Sequence, residues 1–124
     1  MQANRLHLEL GRVGEEAALA HYQSAGYRLV ARNWRCPLGE LDLVLSRGRV
    51  LVFCEVKTRR GSALGAPHEA VAWKKQRKLR VLAEAFLAAL KVRPQDVPEV
   101  RFDVASVTPV PKGGASVFVF EDAF

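Results

Sequence analysis

Long apolar runs are missing from this chain: none approaches the roughly 18 residues that cross a bilayer, and its first residues lack a signal-peptide profile. A soluble, cytoplasmic protein that makes no use of a membrane is therefore expected. Cysteine is scarce. The two present, Cys36 and Cys54, lack metal-ligand spacing, which argues against a zinc cluster or a disulfide framework. Cys54 interrupts an apolar run and reads as a small core residue. The three histidines also lack ligand spacing. Acids are outnumbered, 13 to 19 by Lys and Arg, for a net charge of +6. That balance favours a polyanionic partner. With no repeat, low-complexity tract or internal linker, and 49% hydrophobic residues, residues 1–124 read as one globular domain able to bury a core.

What the chain does have is a regular alternation of element signals. A helix is expected from about Arg5 to Ala25, with Leu10, Val13, Ala17 and Ala20 on one stripe and Gly26 as its stop. Tyr27 to Trp34 reads as a strand, followed by two apolar strands around residues 39–45 and 50–57. Residues 61–67 are marked as a loop by Gly, Ser and Pro. A long helix should run from Pro67 to about Lys91, burying Leu79, Leu82, Phe86 and Leu90, with His68 near its start. After the break at Pro94 to Pro98, Val100 to Val107 and Ser116 to Phe120 read as strands. The order α-β-β-β-α-β-β predicts an α/β fold, a mixed five-stranded sheet with a helix on each face.

The two apolar strands carry acids, which are costly in buried strands unless paired or bound to a metal. Alternation puts Glu40 and Asp42 on one face of the first, and Glu55 and Lys57 on one face of the second. A tight turn at Ser46-Arg47-Gly48-Arg49, centred on Arg47-Gly48, would pair Leu45 with Val50, Asp42 with Phe53 and Glu40 with Glu55. All three acids and Lys57 would then share a face, with Asp42 and Glu55 diagonal neighbours about 7–8 Å apart at the backbone. A turn one residue longer would turn Asp42 away.

An Asp on one strand with Glu-x-Lys on the next resembles the metal-dependent PD-(D/E)xK nucleases. Further blocks extend the likeness: Gly14-Glu15, Arg32-Asn33-Trp34-Arg35, Gly39-Glu40-Leu41-Asp42, Val52 to Arg59, Lys75-Gln76, Arg101-Phe102-Asp103-Val104 and Asp122-Ala123-Phe124. Over nearly the whole chain these look like the YraN family of small bacterial proteins, which has no firmly assigned role. That family is in turn similar to archaeal Holliday junction resolvases, and the resemblance implies a restriction-endonuclease-like fold and a nuclease active site, with branched DNA as a substrate. Carried over by position, Asp42, Glu55 and Lys57 match the resolvases' catalytic residues, and Glu15 matches their helix glutamate. A homodimer would suit two-fold symmetric junctions, though no residue demands one.

Phosphodiester hydrolysis needs charge neutralisation on the phosphate and a nucleophilic water. Mg²⁺ or Mn²⁺ serves both needs and takes oxygen ligands. On this reading Asp42 and Glu55 bind the ion, with the Val56 carbonyl as a third ligand. Lys57 holds the attacking water or stabilises phosphate charge. Glu15 orients a water at the ion from the first helix, with Glu16 as the competing choice, and Glu40 is an outer candidate.

Alone, a Glu-x-Lys triplet on a strand reads as an exposed ion pair. Asp42 in register and apolar neighbours shift the balance to a metal site. Five cations lie between Lys74 and Arg80. Lys74, Lys75, Arg77 and Lys78 are expected to contact phosphates, as are Arg59 and Arg60 just after Lys57. Trp34 and Trp73 read as core or edge packing rather than as base-stacking platforms. Three functions fit: a metal-dependent DNA endonuclease, a nucleic-acid-binding protein on a non-catalytic nuclease fold, and an interaction subunit stabilised by a bound cation.

Overall fold

The computed structural model describes residues 2–59 and 73–124, the side chains of residues 2–9 excepted. The expected loop at 61–67, the helix start at Pro67, His68 and Arg60 lie outside these residues. The described elements are α1 (Gln2–Ser24), β1 (Arg28–Cys36), β2 (Gly39–Arg47), β3 (Val50–Thr58), α2 (Trp73–Leu90), β4 (Glu99–Pro109) and β5 (Ala115–Phe120). The order matches the sequence reading. Among the described residues no helix is long and apolar enough to cross a membrane.

Helix α1 ends where the chain can turn left-handed. Gly26 takes φ +90, its N–H donates to the Gln23 carbonyl, and the Tyr27 N–H donates to the Tyr22 carbonyl. This pairing is a Schellman stop, and the edge-on Tyr22 and Tyr27 rings, 5.2 Å apart, close it with an apolar contact. The helix phase differs from the expected stripe. Gly14, Ala18, Leu19 and Tyr22 are buried, while Ala20 is exposed and Val13 is 46% exposed. The helix is rotated so that Gly14, which has no side chain, meets the end of β3 and the Tyr22 ring enters the core.

The sheet runs β1-β2-β3-β4-β5. Only the β3–β4 pairing is parallel, with α2 in the crossover between them. Each sheet face has its own core. Tyr22, Leu43, Leu45, Val52, Cys54 and Val107 pack on the α1 side. Val44, Phe53, Phe102 and Val104 pack on the α2 side against Leu79, Leu82 and Phe86. Fully burying such side chains contributes about 1.5–3 kcal/mol each. The expected core of α2 holds for Leu79, Leu82 and Phe86, while Leu90, at the helix end, is 48% exposed. Trp34 stacks edge-on against Phe86, as core packing requires. Burial pushes the Cys54 thiol up, so Cys54 stays a neutral core residue.

The β2–β3 register differs from expectation by two residues. Arg47 pairs with Val50, Leu45 with Val52 and Leu43 with Cys54, so the turn is centred on Gly48-Arg49 rather than Arg47-Gly48. Gly48 supplies the positive φ of +59 that a tight hairpin turn needs. Because side chains alternate with period two, an even slip preserves which face each residue takes and changes only its partner. Asp42 therefore does not pair with Phe53, nor Glu40 with Glu55. Continuing the observed register by one step brings Asp42 opposite Glu55.

Candidate active site

The hydrogen-bonded pairing of β2 with β3 ends at Leu43 and Cys54. Just beyond it the alternation of β2 breaks, since Leu41 and Val44, three residues apart, both pack on the α2 side. The neighbouring strand β1 breaks step too, with Ala31 and Trp34 on that same side and Asn33 between them at φ 52. Asn tolerates this left-handed backbone better than most residues. β2, still paired with β1, thus forks away from β3, and Asp42 sits in the fork. Its Oδ2 accepts the Val56 N–H at 2.9 Å, so a side chain replaces the missing backbone acceptor of β2.

Two cavities meet at this fork. One, of about 250 Å³ on the α2 side, is lined by Glu40, Asp42, Glu55, Lys75, Lys78, Leu79 and Leu82. The other, of about 200 Å³ on the α1 side, is lined by Leu10, Gly11, Glu15, Asp42, Val56 and Thr58. Asp42 belongs to both. Burial, and then the Glu55 carboxylate beside it, push the Asp42 carboxyl up to about 7, against the opposing pull of the Val56 N–H. The Glu55 side chain is only 7% exposed, and its Oε1 faces two ammonium groups, Lys75 Nζ at 3.0 Å and Lys57 Nζ at 3.5 Å. Burial lowers the Lys75 pKa, but its hydrogen bond to Glu55 and the nearby negative charge outweigh this and raise it.

The α1 side resolves the choice between adjacent glutamates. A β-carbon on Gly14 would lie 1.7 Å from Thr58 Oγ1, so the glycine lets α1 touch the end of β3. Glu15 is thereby brought to the cavity that Asp42 and Val56 line. Asn33 Nδ2 donates to its Oε1 at 3.1 Å, and Arg32 Nε lies 3.5 Å from the same oxygen. Glu16 instead pairs with Arg32 Nη1 at the surface, its side chain 66% exposed. Glu15, not Glu16, faces the site.

Asp42 and Glu55 thus meet, Lys57 pairs with Glu55, and Glu15 and Val56 line the α1-side cavity that Asp42 shares. Glu40 also lines the α2-side cavity, but its pairing partner is Arg35, with Arg35 Nε 3.3 Å from its carboxylate. The basic residues divide. Lys75 and Lys78 turn into the α2-side cavity, so Lys75 is an ion-pair partner within the site rather than a free surface cation. Lys74 is exposed. The Arg77 guanidinium lies over the Trp73 ring, 4.7 Å from its centre, and Trp73 is 66% exposed rather than packed in the core. The Arg59 N–H donates to the Val107 carbonyl and extends the β3–β4 ladder. Gly14, Arg32, Asn33 and Thr58 were not singled out for this role from the sequence. A glycine inside a helix, which costs stability unless space demands it, is the signal that points to the first.

Mg²⁺ and Mn²⁺ are satisfied by one or two carboxylates completed by waters and phosphate oxygens. Asp42 and Glu55 fit that donor set. Among the described residues no group of three or more His, Cys, Asp and Glu side chains gathers to hold a metal.

The family model for the uncharacterised protein family UPF0102 matches residues 14–107. A UPF0102 protein of Symbiobacterium thermophilum is 47% identical over 115 residues, covering 93% of this chain and 95% of the relative. One from Frankia alni is also 47% identical over 115 residues, covering 93% of each chain. One from Acidothermus cellulolyticus is 43% identical over 122 residues, covering 93% and 92%.

Proposed function

The chain belongs to the uncharacterised protein family UPF0102, and from its site we propose that it is a metal-dependent phosphodiesterase that cleaves DNA. The observation that carries this reading is the meeting of Asp42 and Glu55 where β2 and β3 separate, with Lys57 3.5 Å from Glu55. Buried carboxylates brought together repel one another, and a divalent cation relieves that repulsion. The element order, with β3 and β4 parallel around α2, supports a restriction-endonuclease-like fold. The net charge of +6 supports a polyanionic substrate.

In this mechanism Asp42 and Glu55 would hold Mg²⁺ or Mn²⁺, with the Val56 carbonyl as a further ligand. The ion supplies charge neutralisation at the phosphate and lowers the cost of ionising water. Lys57 holds the attacking water or stabilises negative charge on the phosphate as the bond to the leaving oxygen breaks. Glu15, fixed by Asn33 and Arg32, orients water on the α1 side. Lys75 and Lys78 receive the phosphate on the other.

The test is incubation of the full chain with single-stranded, duplex and four-way branched DNA, with and without Mg²⁺ or Mn²⁺. Cleavage that requires the cation and disappears in Lys57→Ala, while that variant still binds the cation, is the expected outcome. Preference for the branched form would extend the reading to junctions. Cation binding at Asp42 without cleavage of any form would replace hydrolysis with a binding role.

A further inference from the structure

We propose that Lys75 is the site's exchangeable counter-cation: it occupies Glu55 until a divalent cation takes that oxygen, and then turns to the substrate phosphate, so that cation and DNA bind cooperatively. This rests on the phosphodiesterase reading above and adds to it a coupling residue on α2.

The geometry begins with competition for one oxygen. Glu55 Oε1 has Lys75 Nζ at 3.0 Å and Lys57 Nζ at 3.5 Å, on a side chain 7% exposed. An oxygen so engaged has little left to offer a dication, and a dication held there repels any ammonium that stays. Withdrawal of one lysine relieves both conflicts. Lys57 sits on β3 two residues from Glu55, on the same side of the strand, so its backbone keeps it there. Lys75 arrives from another element, and its side chain is 47% exposed. A compact charge on a flexible four-carbon stem can swing out at small cost.

Charge balance gives the withdrawal a direction. With Asp42 ionised, two carboxylates and two ammonium groups leave the site formally neutral. Exchanging Lys75 for a dication leaves it with a surplus positive charge, which matches an incoming phosphodiester. The departing Lys75 has a partner for this task. Lys78, three residues on and on the same helix face, lines the same cavity. Its stem passes the β1–β2 turn at Gly39, where an added β-carbon would lie 3.0 Å from Lys78 Cε. By reciprocity, a phosphate that draws Lys75 away frees Glu55 for the cation.

Calorimetric titration of the full chain with Mn²⁺, alone and with a phosphorothioate DNA duplex, tests this. Lys75→Met should bind Mn²⁺ at least about fivefold more tightly than wild type when DNA is absent. It should also lose the gain in Mn²⁺ affinity that wild type shows when the duplex is added. Lys112→Met, which removes an exposed charge between β4 and β5, away from both cavities, should keep that gain. Unchanged or weaker Mn²⁺ binding by Lys75→Met, in a protein whose Mn²⁺ binding is abolished by Asp42→Asn, overturns the counter-cation role and leaves the phosphodiesterase reading standing. Failure of both wild type and Lys75→Met to bind Mn²⁺ overturns both.

Discussion

The Asp42 carboxylate accepts the backbone N–H of Val56 at 2.9 Å, bridging two strands whose own ladder has stopped at Leu43 and Cys54. One side chain therefore does two jobs: it closes the fork between β2 and β3, and it holds a charge beside Glu55. Asparagine keeps the first job, because its Oδ1 accepts the same N–H, and gives up the second.

Asp42→Asn should abolish Mg²⁺ and Mn²⁺ binding while stabilising the metal-free protein at neutral pH. Burial and Glu55 raise the Asp42 carboxyl from 3.8 to about 7. Between those values the folded state holds a proton that the unfolded chain has lost, so wild-type stability falls as pH rises from about 4 to about 7, and the loss is complete above that. The variant lacks this slope. Its advantage should be near zero at about pH 4 and reach roughly 1–3 kcal/mol above pH 7. Urea denaturation in a chelator at both ends of that window measures the difference. Superimposable wild-type and variant curves at the upper end would show that Asp42 is under no such strain.

Gly14 and Gly11 make a contrasting pair on α1. A β-carbon at Gly14 would strike Thr58 Oγ1 at 1.7 Å and Thr58 Cβ at 2.9 Å, whereas one at Gly11 meets nothing within 4 Å. Gly14→Ala should cost about 1–3 kcal/mol through overpacking and draw Glu15 back from Asp42. Gly11→Ala should gain about 0.5–1 kcal/mol from helix propensity alone. Thermal or urea unfolding of the two variants reads the sign directly, and a Gly14→Ala protein as stable as wild type would disprove the close approach.

A second buried acid serves stability instead. Asp103 is fully buried and accepts hydrogen bonds from Tyr22 Oη at 2.7 Å, Arg101 Nε at 2.9 Å, Arg101 Nη2 at 2.8 Å and the Asp122 N–H at 3.0 Å. These bonds tie α1, β4 and the C-terminal turn together. Removing the acid breaks both Arg101 bonds to it and leaves the guanidinium only Tyr27 Oη and the more distant Glu121, so Asp103→Ala should cost about 3–5 kcal/mol. Tyr22→Phe deletes one bond of four and should cost about 1–2 kcal/mol. Neither should alter Mn²⁺ affinity in protein that remains folded, because none of these residues lines the two cavities at the fork. A large change in Mn²⁺ affinity would link the two acids.

The element order was legible because Gly26, Gly48 and the prolines at 94 and 98 mark the ends of strongly periodic segments. Asp42 and Glu55 stood out because carboxylates in apolar strands need a reason. The β2–β3 slip was invisible because alternation cannot detect an even shift. The phase of α1 was missed for a different reason: a stripe drawn through apolar residues gives no weight to a glycine whose value is the side chain it lacks. The choice of Glu15 over Glu16 depends on Arg32 and Asn33, more than fifteen residues away in sequence. The Lys75–Glu55 pair joins a helix to a strand across twenty residues, and nothing local to the basic run of α2 announces it.

That basic run supplies the last prediction. Lys75 and Lys78 line the cavity that holds Asp42 and Glu55, whereas Lys74 and Arg77 do not, and Arg77 covers the exposed Trp73 ring. Each phosphate contact on duplex DNA releases counterions and adds about 0.9 to the slope of log affinity against log salt. Removing Lys75 and Lys78 together should therefore lower that slope by up to about two and weaken all sequences alike. Removing Lys74 and Arg77 should lower it less, because those two lie outside the cavity that receives the phosphate. Duplex binding measured across a salt series for the two double variants separates the faces. Equal losses would mean that the helix contacts DNA along its whole basic surface. An unchanged slope after loss of Lys75 and Lys78 would remove α2 from the interface and leave Arg59, just past the end of β3, as the described cation nearest to Lys57 along the chain.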